Sequence, residues 1–335
     1  MEQASSGIKY FFHKQGNTLK EKFNNFFKLA NFKKHIIGLA IATILLITNI
    51  IIGINLGYMT PHNNIYEPTQ YIIILIISYV LYLLRLFITN KKSSSDLIII
   101  IYLFFLFWDI SYKVGWVKND LLIPSPEGLF NVFKTDRDYI LEMVFDSLQL
   151  LFWGFLLAIV LGTALGLIVG WFERSREVMI PVANVITLIP PVLMTAWLII
   201  WFPFKIAAVA IIFLAVFWPT FLGMIVRVSQ IDRKIIDAAK VMGVSNVGML
   251  FKVILPYSLP GIIISVSKSL RGAFMCLVAA EMIGINGGIG FYTETYKAYA
   301  DYRRVLAGIF TIGIITTVID IIVNKIEKTV VKWKV

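Results

Sequence analysis

Charged residues, cysteine and histidine are all scarce in this chain of 335 residues. Charged residues make up 15% and apolar residues 58%, whereas globular proteins are about a quarter charged and about half apolar. The single cysteine, Cys276, excludes an internal disulfide. The three histidines, His13, His35 and His62, are scattered over polar flanks and form no metal-binding or catalytic-triad pattern. The composition therefore indicates an integral membrane protein and argues against an enzyme.

Phosphate-binding motifs are lacking as well. The glycine-rich stretch at 284–290 contains no Gly-Lys dipeptide, and neither does the rest of the sequence, which excludes a phosphate loop of the Walker type. We interpret this stretch as a flexible outer loop. The glycines that flank Ser245, at 243 and 248, are too far apart for a nucleophile elbow. The sequence thus predicts that the chain is not an enzyme, cannot hydrolyse ATP by itself and holds no cofactor or metal.

Eight apolar segments are present, and with their flanking residues each is long enough to cross a hydrocarbon core of about 30 Å. The second and third are the shortest and need those flanks to complete a span. The segments lie at residues 36–55, 71–86, 97–110, 148–171, 178–201, 206–224, 256–282 and 305–323. We therefore expect a multi-pass membrane protein that is helical throughout.

The basic residues are distributed unevenly between the two sides of this topology. The net charge is +11, and with the amino terminus inside, most lysines and arginines fall in the segments that would be cytoplasmic. Such an asymmetry records orientation, so we expect both termini and the interval 227–255 in the cytoplasm. It also makes nucleic acid an unlikely partner. Lysines and phenylalanines alternate through residues 1–35, a pattern that predicts an interfacial segment along the cytoplasmic face of the lipid bilayer.

The polar interval 227–255 separates the sixth and seventh apolar segments. Residues 235–242 predict a short helix with Asp237 in its first turn, where the helix dipole favours an acid, and with Gly243 as its stop. Ala238 and Ala239 would leave one edge thin enough for another protein to approach closely. Pro256 suits the first position of the next membrane helix. An ordinary polar connector is the alternative interpretation.

The same interval carries a family signature. Asp-Ala-Ala at 237–239, Gly243 and Val-Ile-Leu-Pro at 253–256 resemble the EAA signature of permease subunits of bacterial ATP-binding-cassette (ABC) importers, with Asp for Glu and Val for Ile. Weaker stretches in the same order support the resemblance, which is closest to the nitrate, sulfonate and taurine branch; they lie at 123–126, 189–191, 205–206, 217–219 and 278–282. The resemblance covers about 97–335. It implies an all-α type I ABC importer permease fold, with a six-helix core preceded by two extra transmembrane helices in 36–96.

The resemblance also implies partners and a location in the bacterial inner membrane. Two ATPase subunits, which would bind ATP and Mg, are expected to dock on a coupling site made of Asp237, Ala238, Ala239, Gly243, Leu255 and Pro256. An extracytoplasmic binding protein would deliver a small solute, and a second copy of the permease would complete a homodimer. The branch suggests a sulfonate, taurine or nitrate-like anion, while a vitamin precursor or another organic solute stays open. An ion-gradient-driven secondary transporter is the rival class, although no clear internal repeat supports it.

Helix-breaking and charged residues within the apolar segments predict a translocation path. Pro190 and Pro191 interrupt the segment 178–201, and broken helices are tolerated beside protein or a water-lined cavity; a packing kink is the alternative. Lys268 and Arg271 share one face of the segment 256–282. They would either pass an anion or pair internally with a carboxylate or with backbone carbonyls. The full candidate set is Thr187, Pro190, Pro191, Thr195, Trp197, Lys268, Arg271 and Glu281.

Four local patterns predict structure more than function. Glu281 would brace the outer gate or contact the binding protein, and bracing is the preferred reading. Asp109 and Lys113 stand four apart and are expected to pair. Ser125 suits a helix cap, with Pro126 at the first helical position. Glycines recur every four residues at 162, 166 and 170, which predicts close helix packing in lipid.

Overall fold

The computed structural model describes residues 29–55, 67–89, 91–116, 123–284 and 286–330, and every regular element in these ranges is a helix. This confirms the all-α expectation. The chain divides into two compact units, Met1–Asp136 and Arg137–Val335. The predicted interfacial segment 1–35 lies almost entirely outside the described residues. The predicted division of the chain at 35/36 and 96/97 stays a prediction.

The described residues of the first unit form three long helices and one short one. They are α1 (Leu29–Asn55), α2 (Thr69–Thr89), α3 (Ser93–Lys113) and α4 (Pro126–Thr135). Polar side chains join the long helices inside this unit: the Tyr71 hydroxyl donates to Asn49 Oδ1 at 3.0 Å, and Asn49 Nδ2 donates to the Tyr102 carbonyl at 3.2 Å. Both tyrosines are fully buried. Such hydrogen bonds hold apolar helices together where lipid gives little hydrophobic drive.

The helix α4 begins as its sequence predicts. Ser125 is the cap and its hydroxyl oxygen accepts from the Gly128 amide at 3.0 Å, while Pro126 occupies the first turn. The apolar face of α4 is buried, and the Phe130 ring stacks on Tyr71 with 5.9 Å between ring centroids. The predicted cap is therefore confirmed.

Within 137–284 and 286–330, the second unit forms eight helices and three short segments of other or very short helical structure. The helices are α5 (Arg137–Trp171), α6 (Glu173–Thr187), α7 (Thr195–Trp201), α8 (Phe204–Ser229), α9 (Arg233–Val241), α10 (Leu255–Gly284), α11 (Ile289–Ala298) and α12 (Tyr302–Val330). The short segments are a 3₁₀ turn at Pro191–Met194, a helical turn at Asn246–Gly248 and a π-helical segment at Met249–Ile254.

Glycines form the seam between α5 and α8. A Cβ atom at Gly154 would lie 2.7 Å from Ile212 Cβ, and one at Gly166 would lie 2.7 Å from Met224 Cβ. Cβ atoms at Gly162 and Gly170 would lie 3.1 and 2.9 Å from the nearest atoms of α8. Only glycine permits this approach of the two backbones, so the four-residue spacing has the structural role that the sequence predicts.

Seven described helices are long and apolar enough to cross a membrane, and one bent pair would make an eighth span. The bent pair is Glu173–Thr187 with Pro191–Trp201, which meet at 79°. Pro190 has an extended backbone at this break, because the two consecutive prolines remove amide donors that a continuous helix needs. The predicted segment 178–201 is therefore a broken span, as the sequence suggests.

Candidate functional site

The predicted coupling helix is present as α9, but it starts earlier than its sequence suggests. Asp232 is the cap, and its carboxylate accepts from the Lys234 amide at 2.9 Å. With this donor satisfied, the helix begins at Arg233, and no acid lies in its first turn. The prediction that Asp237 occupies the first turn is therefore wrong. Asp237 lies one turn further on and is exposed.

The end of α9 follows the prediction at Gly243. Gly243 has a φ of +74°, a left-handed conformation that glycine adopts without steric cost. Its amide donates to the Lys240 carbonyl at 2.9 Å, and the Val244 amide donates to the Ala239 carbonyl at 3.1 Å. These two bonds are a Schellman motif. Gly243 thus forms the C-terminal cap of the helix, as predicted.

The two alanines of α9 lie on different faces. Ala239 is buried, with 3% of its surface exposed, and it packs in an apolar cluster with Leu167, Met224 and Met249. Ala238 is exposed. At the end of the helix Val241 is 88% exposed and Met242 75% exposed. The surface open to another protein is therefore Asp237, Ala238, Val241 and Met242, which we call the lever surface, whereas Ala239 anchors α9 to its own chain.

The chain returns toward the membrane without the start that we predicted for Pro256. Helical structure already begins at Asn246, continues through the π-helical segment and passes into α10 at Leu255. Pro256 therefore stands inside a continuous helical path. The wider turn of a π segment accommodates a proline, whose ring clashes with the carbonyl four residues earlier in a regular α-helix. Leu255 is partly buried and Pro256 is exposed.

An arginine clamp, which sequence reasoning missed, joins the two membrane helices that flank the lever surface. Arg227 Nη2, near the end of α8, donates to the Gly261 carbonyl of α10 at 2.8 Å and to Ser265 Oγ. A Cβ atom at Gly261 would lie 2.6 Å from Arg227 Nε, so the missing side chain makes room for the guanidinium. The signal in the sequence was an arginine in the last turn of an apolar helix.

The candidate path residues of the broken span are only partly brought together. Thr187 and Pro191 line a cavity of about 110 Å³ together with Trp218. Thr195 is fully buried, and its hydroxyl donates to the Val192 carbonyl at 2.6 Å, so this hydrogen bond lies within its own turn. Pro190 and Trp197 are exposed.

The two cations of α10 have different surroundings. Arg271 Nε lies 2.5 Å from Asp320 Oδ1 of α12, so internal pairing is the interpretation that the contacts favour for Arg271. Lys268 is exposed, and no residue in the described ranges pairs with it. Asp320 was not among the predicted site residues, although it is an isolated acid in the apolar segment 305–323.

Glu281 is buried, with 1% of its surface exposed, and braces the turn before α11. Its Oε1 accepts from Ser147 Oγ at 2.7 Å and its Oε2 accepts from the Gly290 amide at 2.8 Å. Ser147 Oγ in turn accepts from the Ile289 amide at 2.9 Å. These are the contacts of a structural brace.

The glycines of the same turn fit around this carboxylate. Gly288 has a φ of +92°, and a Cβ atom there would overlap the Glu281 carboxyl group. Gly290 leaves equally little room beside Glu281 and the Val278 carbonyl. The interpretation of this stretch as a flexible loop is therefore wrong for residues 286–290, because the bend at 286–288 and the start of α11 fit specifically around a buried acid.

Metal-binding groups are not evident: within the described ranges no three His, Cys, Asp or Glu side chains are placed to hold an ion.

Comparisons with known proteins agree with this architecture. The family model described as "Binding-protein-dependent transport system inner membrane component" matches residues 158–332. A Bacillus subtilis (strain 168) protein that carries the name of an aliphatic sulfonates transport permease is 27% identical over 233 residues, which is 68% of this chain and 83% of that protein. The taurine transport system permease of Escherichia coli (strain K12) is 28% identical over 52% of this chain and 64% of its own length.

Two further similarities are of the same kind. The nitrate import permease of Leptolyngbya laminosa is 29% identical over 55% of this chain and 67% of its own length. The methionine ABC transporter MetNI, solved in inward-facing conformations, is 18% identical and covers 58% of this chain and 96% of its own, with a TM-score of 0.49. On the family match, the chain belongs to the binding-protein-dependent inner membrane components, the permeases of ABC importers, in the branch of the nitrate, sulfonate and taurine permeases.

Proposed function

We propose that this chain forms the translocation path of an ATP-driven importer for a small anion of the sulfonate, taurine or nitrate type. The observation that carries the proposal is the lever surface on α9. Exposed apolar side chains beside charged residues suit docking to another protein. Val241 and Met242 are such side chains, at the end of a helix with a cap at each end. The helix is also fixed to its own chain through Ala239, so a force on its outer face reaches the membrane helices.

The partner on the lever surface would be an ATPase subunit in the cytoplasm. A homodimer of this chain would offer two lever surfaces to two ATPase subunits, which would bind ATP and Mg. ATP-driven closure of the ATPases would draw the levers together and open the path outward, and hydrolysis would reset it. The Arg227 clamp supports this mechanism, because it links α8 and α10 on either side of α9.

The proposal that the substrate is an anion depends on the charged side chains within the helices of the second unit. Lys268, Arg271 and Asp320 together carry a net charge of +1, and charges within membrane helices face other helices or a watery cavity. A positive cavity favours an anion over a cation. The names of the sulfonate, taurine and nitrate relatives support the same class. An extracytoplasmic binding protein would deliver this anion, and a vitamin precursor or other organic solute is the alternative cargo.

The test is a lever variant in the reconstituted importer. Met242→Glu places a charge in the apolar lever surface, so we expect ATPase subunits to copurify less and ATP-dependent uptake into proteoliposomes to fall. Val114→Glu is the matched control, because Val114 is 60% exposed and follows α3, on the side predicted to face away from the ATPases. Normal copurification and uptake with Met242→Glu would contradict the docking of an ATPase on this surface.

A further inference from the structure

We propose that the first unit contains a buried proton-binding site formed by Asp109, Lys113 and Glu127. Asp109 and Lys113 lie in the last two turns of α3, and Glu127 lies in the first turn of α4. All three belong to the part of the chain that precedes the matched family region at 158–332. The proposal is independent of the transported solute.

The three side chains meet at one ammonium group. Lys113 Nζ lies 2.7 Å from Glu127 Oε1 and 3.0 Å from Asp109 Oδ2, and it donates to the Ile52 carbonyl of α1 at 2.9 Å. An ammonium group has three hydrogens, and these three acceptors use them all. The pairing of Asp109 with Lys113 is the one predicted from their spacing, and Glu127 is the partner that the sequence did not indicate.

The cluster is dry. The exposed fractions of the side chains are 0% for Asp109, 1% for Lys113 and 4% for Glu127. With all three groups ionised, two carboxylates and one ammonium leave a net charge of −1. A buried charge without compensation is strongly unfavourable, so the site requires one further positive charge.

No described protein group supplies that charge. The helix α2 contributes Tyr71, whose hydroxyl donates to Asn49 Oδ1 of α1, and both of these side chains are neutral. The helix α1 contributes the Ile52 carbonyl at this point. The other ion pair of the unit, Lys134 with Glu67, is exposed at 55% and 68% and is already balanced. Among the described residues, Lys113 is therefore the only cation at the cluster.

The arrangement of the two acids indicates that the missing charge is a proton. The Asp109 and Glu127 carboxyl groups both contact Lys113 Nζ, at 3.0 and 2.7 Å. Two ionised carboxylates that share one site repel each other, and they cannot form a hydrogen bond because both only accept. Asp109 Oδ1 is also buried, and although it lies 2.8 Å from Nζ, it makes no hydrogen bond. One proton shared by the two carboxyl groups neutralises the cluster and supplies the missing donor.

Proton release would destabilise the first unit. Raising the pH until water removes the shared proton leaves the cluster at −1 in a dry site. Stability is therefore full while the proton is bound and is lost as the pH rises through its release. This makes the helices that precede the family region sensitive to alkaline conditions.

The test uses the full chain purified in lipid nanodiscs. Glu127→Gln and Asp109→Asn each replace a carboxyl group by a neutral amide of the same shape, so either variant leaves one carboxylate and Lys113 in balance without a proton. Glu67→Gln, at the exposed pair, is the matched control. Infrared spectra and thermal unfolding are recorded across a pH series, in sodium chloride and in choline chloride.

The expected result has two parts. The wild type and Glu67→Gln show a protonated-carboxyl band that is missing in Glu127→Gln and Asp109→Asn, and their unfolding temperature falls as the pH rises while that of the two cluster variants falls less. Dependence on sodium in place of pH would overturn the proposal in favour of a bound metal cation. If the cluster variants do not fold, the wild type still decides, because an unfolding temperature that does not fall with rising pH contradicts a bound proton.

Discussion

Arg271 of α10 and Asp320 of α12 form an ion pair, with 2.5 Å between Nε and Oδ1. The two side chains are 44% and 40% exposed, on helices that are apolar enough to span a membrane. Each charge depends on the other, because an unpaired charge within a bilayer is costly. The pair therefore ties two helices of the second unit together. Lys268, on the same face of α10, has no ion-pair partner in the part of the chain that the structure describes.

Removal of one partner should cost stability, and removal of both should restore part of it. Asp320→Asn leaves Arg271 without a counter-charge, and we expect a loss of about 1 kcal/mol in the free energy of unfolding, since both side chains are partly solvated. The double variant Arg271→Met with Asp320→Leu should recover much of this loss. Thermal unfolding of the three proteins in nanodiscs checks the prediction, which fails if the double variant is no more stable than Asp320→Asn.

Lys268→Met should slow the uptake of an anion. The attraction of one partly solvated charge is worth about 1 kcal/mol or less, so we expect the rate of sulfonate uptake to fall up to about fivefold at low salt. The difference from wild type should shrink at high salt, because screening weakens the attraction. Lys297→Met is the control, since Lys297 is exposed and already paired with Glu294. Equal anion uptake by both variants would exclude a charge-reading role.

Gly288→Ala should destabilise the second unit. Its φ of +92° disfavours a side chain, and the new Cβ atom would overlap the Glu281 carboxyl group; such strain costs about 1–3 kcal/mol. Gly272→Ala is the matched control, because no atom lies within 4 Å of a Cβ atom at that position. Unfolding temperatures of the two variants give the comparison. A loss in Gly272→Ala as large as that in Gly288→Ala would contradict the role of the turn.

Arg227→Lys should loosen the connection between ATP hydrolysis and transport. Lysine keeps the charge but lacks the planar guanidinium that reaches two acceptors at once. We expect less solute taken up per ATP hydrolysed, and a loss of about 1.5–3 kcal/mol in stability for the charged hydrogen bonds. Arg233→Lys, at the exposed start of α9, should leave both quantities unchanged. An unchanged ratio of uptake to hydrolysis in Arg227→Lys contradicts the clamp.

The sequence predicts the ends and breaks of helices well, because these depend on only a few neighbouring residues. Ser125 and Pro126 start α4, Gly243 ends α9 and Pro190 with Pro191 breaks a span, each as predicted. In every case the cause is local, because a cap, a left-handed residue or a missing amide acts within a few residues. The apolar segments likewise give the number of spans once the bent pair is counted as one.

Partners that are distant in the sequence were beyond this kind of reasoning. Arg227 is 34 and 38 residues from the groups that it binds, and nothing near it marks their positions. Asp320 looks the same in the sequence whether it lines a cavity or pairs with Arg271. Ala239 was assigned to the outer face because alanine fits either face of a helix, and only the packing around it shows that it points inward. Asp237 lies beyond the first turn because the cap at Asp232 starts the helix at Arg233 and not at residue 235.

The glycine seam has a consequence for how the second unit changes shape. Helices held together by backbone contact at four points have almost no side-chain volume to rearrange, and such tightly packed contacts switch between discrete states rather than deform gradually. The helices α5 and α8 should therefore move together as one rigid body during a transport cycle. A change of shape would then fall at the breaks beside these helices, such as the proline break between α6 and α7.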